Sequence, residues 1–121
     1  MEFDPASMKE TCRQLAEEIG PDGVAELLES YLADTPNRLA EIARFLEAGD
    51  QPSLKRASHS LKGSSSIFGL SGMESVANRL EHSFATGELD SQALFLRQLR
   101  EEFERCRRSL AATAAELAAM G

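Results

Sequence analysis

His59 and Lys62 stand one helical turn apart in the segment SLKRASHSLKGSSSIFGL, residues 53–70. A neutral imidazole is a nucleophile and a base at neutral pH. An ammonium one turn further on could reach an anion attached to that ring, whereas beside an ordinary histidine it only disfavours protonation. On a wheel of about 100° per residue with Leu54 as origin, Ala57, Ser58, Leu61, Ser65 and Phe68 fall within about 60° and form a core stripe. His59 lies about 140° away, with Lys55, Arg56, Lys62, Gly63 and Ser66 above and below it on the same side. A lone histidine is most often an ordinary surface residue or a satisfied core residue. Here the position opposes the apolar stripe, so a core role is poor, and the ring is expected to be exposed in a basic, sterically open spot. Gly63 interrupts an exposed helix interior at a cost of about 1 kcal/mol relative to Ala. A glycine with no turn to make suggests that another surface must come close.

Other chemistries find less support. Ser64, Ser65 and Ser66 have no base beside them and read as small residues that let helices approach. No Ser-His-Asp pattern and no phosphate-cradling glycine-rich loop occurs, so hydrolase and NTPase readings are set aside. The two cysteines, Cys12 and Cys106, are far apart with no Cys-x-x-Cys spacing, which fits a reducing, cytoplasmic setting better than a disulfide scaffold or zinc knuckle.

The elements that must position His59 read as helices throughout. Length and composition agree: 121 residues is one domain's worth, aromatics are 6% with no Trp, and no segment alternates like a strand. Residues Pro5 to Ile19 carry Met8, Cys12, Leu15, Ala16 and Ile19 at helical spacing and stop at Gly20-Pro21. Val24, Leu27, Leu28 and Tyr31 form a second short stripe ending near Asp34. Thr35-Pro36 reads as a fresh start, with Thr as N-cap and Pro at the first helical position, and Leu39, Ile42, Ala43 and Leu46 lead to Gly49. The helix bearing His59 spans about Pro52 to Phe68. Ser71 and Glu74 form a capping box for a helix whose buried side is Met73, Val76, Ala77, Leu80 and Phe84, ending at Gly87. Asp90 or Ser91 caps the last helix, where Leu96, Leu99, Phe103, Cys106, Leu110, Thr113 and Leu117 recur in steps of three and four. The expected fold is all-α: an antiparallel four-helix bundle over about 35–119, with one or two short covering helices within about 5–34, in a single domain spanning 1–121.

The formal charge of −7 disfavours a nucleic-acid partner, and no apolar run is long enough to span a bilayer. The N-terminal Met1-Glu2-Phe3-Asp4-Pro5 lacks a signal peptide's basic and apolar regions. A soluble, cytoplasmic, monomeric module is expected.

The motif His59-Ser60-Leu61-Lys62-Gly63, with Gly69 ten positions after the histidine, resembles the signature of histidine-containing phosphotransfer (HPt) domains. The likeness extends through Asp34-Thr35-Pro36, Leu39 and Ala48-Gly49-Asp50 upstream and to Leu80-Glu81 downstream, so it covers about Val24 to Gly87. The resemblance implies a four-helix bundle in which His59 is the phosphoacceptor. Its Nε2 would attack an aspartyl phosphate on a receiver domain and later pass the phosphoryl group to another receiver, with Lys62 neutralising the phosphoryl oxygens. It further implies no cofactor on this chain and a magnesium ion on the partner receiver. The partners would be response-regulator receiver domains, a hybrid sensor histidine kinase, or both, docking over Lys55, Arg56, Gly63, Ser66 and Ile67, the last an apolar residue outside the core stripe. For Glu81 two readings stand: a solvated surface carboxylate, or, as in the chemotaxis-kinase branch of the family, the hydrogen-bond partner of the other imidazole nitrogen. His82 falls opposite its helix's core stripe and reads as solvent-facing.

Three functions compete. The leading one is a phosphorelay carrier without kinase activity of its own. The second is the phosphoacceptor domain of a chemotaxis-type histidine kinase, toward which Phe68-Gly69 and Glu81 lean. The third is a non-catalytic structural or adaptor bundle in which His59 is incidental.

Overall fold

The computed structural model describes residues 3–121; Met1 and Glu2, part of the N-terminus read above, lie outside the described residues. The elements are α1 (Pro5–Ala48), α2 (Gln51–Ile67), α3 (Ser71–Glu81), α4 (Ser83–Thr86), a 3₁₀ turn (Leu89–Ser91) and α5 (Gln92–Met120), with no strand among the described residues. This is the expected all-α helical bundle. In it α1 packs on α2 and α5, and α3 packs on α2 and α5, closing a ring around one core. Two-residue and three-residue connections between α1, α2 and α3 make these neighbours antiparallel.

The N-terminal region differs from the sequence expectation. A single break occurs within α1, at Gly20, whose φ of 84° and ψ of 158° no helix accommodates. An extended ψ before Pro21 is what proline imposes on its predecessor. The limb before this elbow buries Met8 and Cys12 and covers the lower end of the bundle. Beyond it the helix runs on to Ala48, so the second short helix and the start at Thr35-Pro36 are not separate: Pro36 lies inside the helix and Thr35 is buried within it instead of capping it. The reason is a continuous buried stripe of Val24, Leu28, Tyr31, Thr35, Leu39 and Ile42, in steps of three and four. A mid-helix proline costs about 3 kcal/mol, while each fully buried large apolar side chain contributes about 1.5–3 kcal/mol, so the stripe outweighs the proline. The Thr35 hydroxyl donates to the Tyr31 carbonyl at 2.6 Å.

The remaining helix ends follow the sequence more closely. Gly49 (φ 69°) closes α1, and the Asp50 side chain accepts the Ser53 N–H at the start of α2. At the end of α2, Gly69 (φ 65°) is needed twice, for its left-handed backbone and because a Cβ there would come within 2.9 Å of Thr11 Oγ1 on the covering limb. The N-cap position of α3 falls at Leu70, one residue before the expected Ser71. The larger departure is at His82, where φ −96° and ψ 3° end α3. The period resets there, so Ser83 faces inward and Phe84, expected in the core, is 68% exposed.

Candidate functional site

The wheel of α2 holds in three dimensions. Leu54, Ser58, Leu61, Ser65 and Phe68 are buried, Ala57 is half-buried, and the His59 side chain is 66% exposed. Buried polar members of that stripe are satisfied locally: Ser58 Oγ donates to the Leu54 carbonyl at 2.8 Å, and Ser65 Oγ lies 2.8 Å from the Tyr31 hydroxyl. Burial pushes the Tyr31 phenol up to about 12, so it stays a neutral partner. The helix bearing the histidine is thereby fixed against α1 on one side and α3 on the other.

Glu81, the last residue of α3, is 9% exposed and points across the α2–α3 hairpin. Its Oε2 lies 2.9 Å from His59 Nδ1, and its Oε1 lies 2.7 Å from Lys62 Nζ. Burial alone would raise the Glu81 carboxyl, but the hydrogen bonds and charges of Lys62 and His59 outweigh it and hold the group below its ordinary value. It is therefore ionised at neutral pH and can only accept. His59 Nδ1 must carry a proton and donate, so in the neutral imidazole the lone pair is on Nε2. Of the two readings of Glu81, the geometry shows the hydrogen-bonded one.

Lys62 is held where sequence reasoning did not foresee. Its ammonium is drawn onto α3 by Glu81, and it also donates to Asn78 Oδ1 at 3.3 Å. Asn78 was missed; its signal is the spacing of three that puts it one turn before Glu81 on the same face. Lys55 and Arg56 are exposed beside His59, and Arg56 Nη2 donates to Ser53 Oγ at 3.1 Å. Gly63 and Ser66 lie on the same exposed side, joined by the Ser66 hydroxyl donating to the Gly63 carbonyl at 2.7 Å, and a Cβ at Gly63 would meet nothing within 4 Å. Ile67 is 46% exposed at the far end of the helix. His82 faces solvent, its Nδ1 donating to the Asn78 carbonyl at 2.9 Å.

Beyond these, Gln51, Ser83 and Gln92 form a cluster that composition gave no hint of. Gln92 Nε2 donates to Ser83 Oγ at 2.7 Å and to Gln51 Oε1 at 2.8 Å, and Ser83 Oγ donates to the Leu80 carbonyl at 2.7 Å. It joins the starts of α2, α4 and α5, and through the Leu80 carbonyl the end of α3. Among the described residues no group of three His, Cys, Asp or Glu side chains converges as metal ligands, and no helix is long and apolar enough to cross a membrane.

An all-helical bundle with an exposed histidine, oriented by a carboxylate from the neighbouring helix, defines the class. The Hpt-domain family model matches residues 26–117, and the chain belongs to that family, the histidine-containing phosphotransfer domains of two-component signalling. Among curated proteins it is similar to the phosphorelay intermediate protein rdeA of Dictyostelium discoideum, 33% identical over 79 residues. That stretch is 65% of this chain and 31% of the relative, so the chain spans about a third of the relative's length. No solved structure gives a significant match.

Proposed function

We propose that this domain is a phosphorelay carrier that accepts a phosphoryl group on His59 from a receiver-domain aspartate and passes it to another receiver. The observation that carries His59 as the acceptor is its 2.9 Å contact, through Nδ1, with an ionised Glu81; the similarity to a phosphorelay intermediate protein favours a receiver as the donor. With Nδ1 protonated, the Nε2 lone pair attacks phosphorus, the N–P bond forms, and the P–O bond to the receiver's aspartate breaks with its electron pair leaving on the carboxylate. The phosphorylated ring keeps its Nδ1 proton and becomes cationic, facing the Glu81 carboxylate. That pairing stabilises the charge that develops during transfer. Lys62, one turn from His59, is the cation that turns from Glu81 toward the phosphoryl oxygens. The return reaction runs the same steps backward onto a second receiver. Magnesium is assigned to the receiver, and the domain itself is read as monomeric and cytoplasmic with no kinase activity of its own.

The test is incubation with a receiver domain carrying radiolabelled aspartyl phosphate. Wild type takes up acid-labile label and His59→Gln takes up none; labelling of His59→Gln would remove the site assignment. A second reading, the phosphoacceptor domain of a chemotaxis-type kinase, draws on the Glu81 hydrogen bond expected of that branch. It requires label from an ATP-binding kinase domain and none from receivers.

A further inference from the structure

The break at His82 has a consequence at the surface. An unbroken α3 would turn Phe84 toward the core; the structure instead buries Ser83 and anchors it through Gln92 and Gln51. The aromatic ring is left 68% exposed at the mouth of a groove of about 450 Å³ between the start of α2 and the end of α3. Pro52, Leu54, Leu80 and Phe84 supply its apolar walls, and Lys55 and Glu81 stand at its edge. Two buried hydrogen bonds of Ser83 and the half-buried Gln92–Gln51 pair thus hold an aromatic ring in water beside an open apolar groove. Aromatic side chains in such settings are the anchors that dominate association energies.

Continuity with the acceptor identifies the occupant. Glu81 belongs both to the groove and to the His59 hydrogen bond, and Lys55 stands one turn, about 6 Å of helix rise, before His59. A partner that presents an aspartyl phosphate to His59 Nε2 covers roughly 800 Å², a disc of about 16 Å radius, and the groove falls inside it. Charge agrees: Lys55, Arg56 and Lys62 gather around His59 on a chain of net charge −7, which suits a partner whose phosphorylation pocket is acidic. We infer that the Phe84 groove is a docking site for the receiver domain, taking an apolar side chain from the receiver's rim while its aspartyl phosphate meets His59. This rests on the relay reading and extends docking to the opposite end of α2 from Ile67.

The experiment uses the full chain and a receiver domain phosphorylated with acetyl phosphate, with phosphoramidate as a small donor that needs no docking. Phe84→Ala, and Ala85→Glu at the groove wall, are expected to lower kcat/KM for transfer from the receiver about tenfold or more, mainly through KM. Labelling by phosphoramidate stays at the wild-type rate. Unchanged receiver kinetics in both variants would overturn the groove assignment while leaving the relay reading intact. A parallel loss with phosphoramidate would also overturn it, because Phe84 would then act on the acceptor itself. Sedimentation showing a dimer that Phe84→Ala abolishes would give the groove to a second copy instead. Wild type that takes label from phosphoramidate but from no receiver would contradict the relay reading, and a KM effect seen only with an ATP-binding kinase domain as donor would assign the groove to that domain.

Discussion

Glu81 Oε2 and His59 Nδ1 lie 2.9 Å apart although 22 residues separate them, one carboxylate at the end of α3 serving an exposed ring in the middle of α2. The other oxygen of the same carboxylate holds Lys62, so one nearly buried group sets both the tautomer of the exposed imidazole and the resting place of the nearest cation.

Replacing Glu81 with Gln removes the charge and leaves an amide of similar shape. A hydrogen bond to a charged group is worth about 1.5–3 kcal/mol, and each 1.36 kcal/mol is tenfold in rate. Phosphoryl uptake by Glu81→Gln from phosphoramidate should therefore fall about ten- to a hundredfold. Uptake at the wild-type rate would mean that the ring needs no orienting partner.

Acid should weaken the same contact in a defined direction. The Glu81 carboxyl is held below its ordinary 4.5, so the stability it contributes is complete above that pH and is lost as pH falls through the lowered folded value. Urea unfolding of wild type and Glu81→Gln across the acid range should show a stability difference that shrinks as pH falls below about 4.5. A difference that persists undiminished to the acid end of the range would contradict the lowered carboxyl.

Gly63 separates stability from access. The space beyond it is open, so Gly63→Ala should stabilise α2 by about 1 kcal/mol, read by urea unfolding. Gly63→Leu should keep phosphoramidate labelling and slow transfer from a receiver, because the added bulk projects from the exposed side beside His59. Equal transfer rates in Gly63→Leu and wild type would remove Gly63 from the docking surface.

Pro36 tests the corrected α1. Inside a continuous helix its ring removes a backbone hydrogen bond, so Pro36→Ala should raise stability by about 1–3 kcal/mol. Were Pro36 at a helix start, as Thr35-Pro36 suggests in isolation, the same substitution would be neutral or destabilising.

What was legible in the sequence depended on range. The stripe of α2 and the exposure of His59 follow from a period of 3.6 within one helix, and the seam of α5 from Leu96 to Leu117 is buried throughout, as its spacing implied. Local punctuation misled where tertiary burial overruled it: Thr35-Pro36 carries every mark of a helix start, yet the stripe from Val24 to Ile42 runs through it. Phe84 sits at helical spacing from Leu80, and only the Ser83–Gln92 hydrogen bond, made across elements, reveals why the helix stops short of it. The Glu81 contact was one of two open readings for the same reason, since the distance between α2 and α3 is not written in either helix's periodicity. Asn78 is marked only by its spacing of three from Glu81, a residue whose own contact the sequence leaves open; the Gln51–Gln92 pair is uncharged and aperiodic, and nothing local marks it.

The central claim is that His59 carries the phosphoryl group on Nε2 while Glu81 holds the proton on Nδ1. Nitrogen-15 NMR of the histidine side chains, before and after phosphorylation by phosphoramidate, tests it most directly. The account predicts an Nδ1–H tautomer in the resting domain, phosphorus coupled to Nε2 of His59 afterwards, and an unmodified His82. Phosphorus on Nδ1 of His59, or on His82, would contradict it.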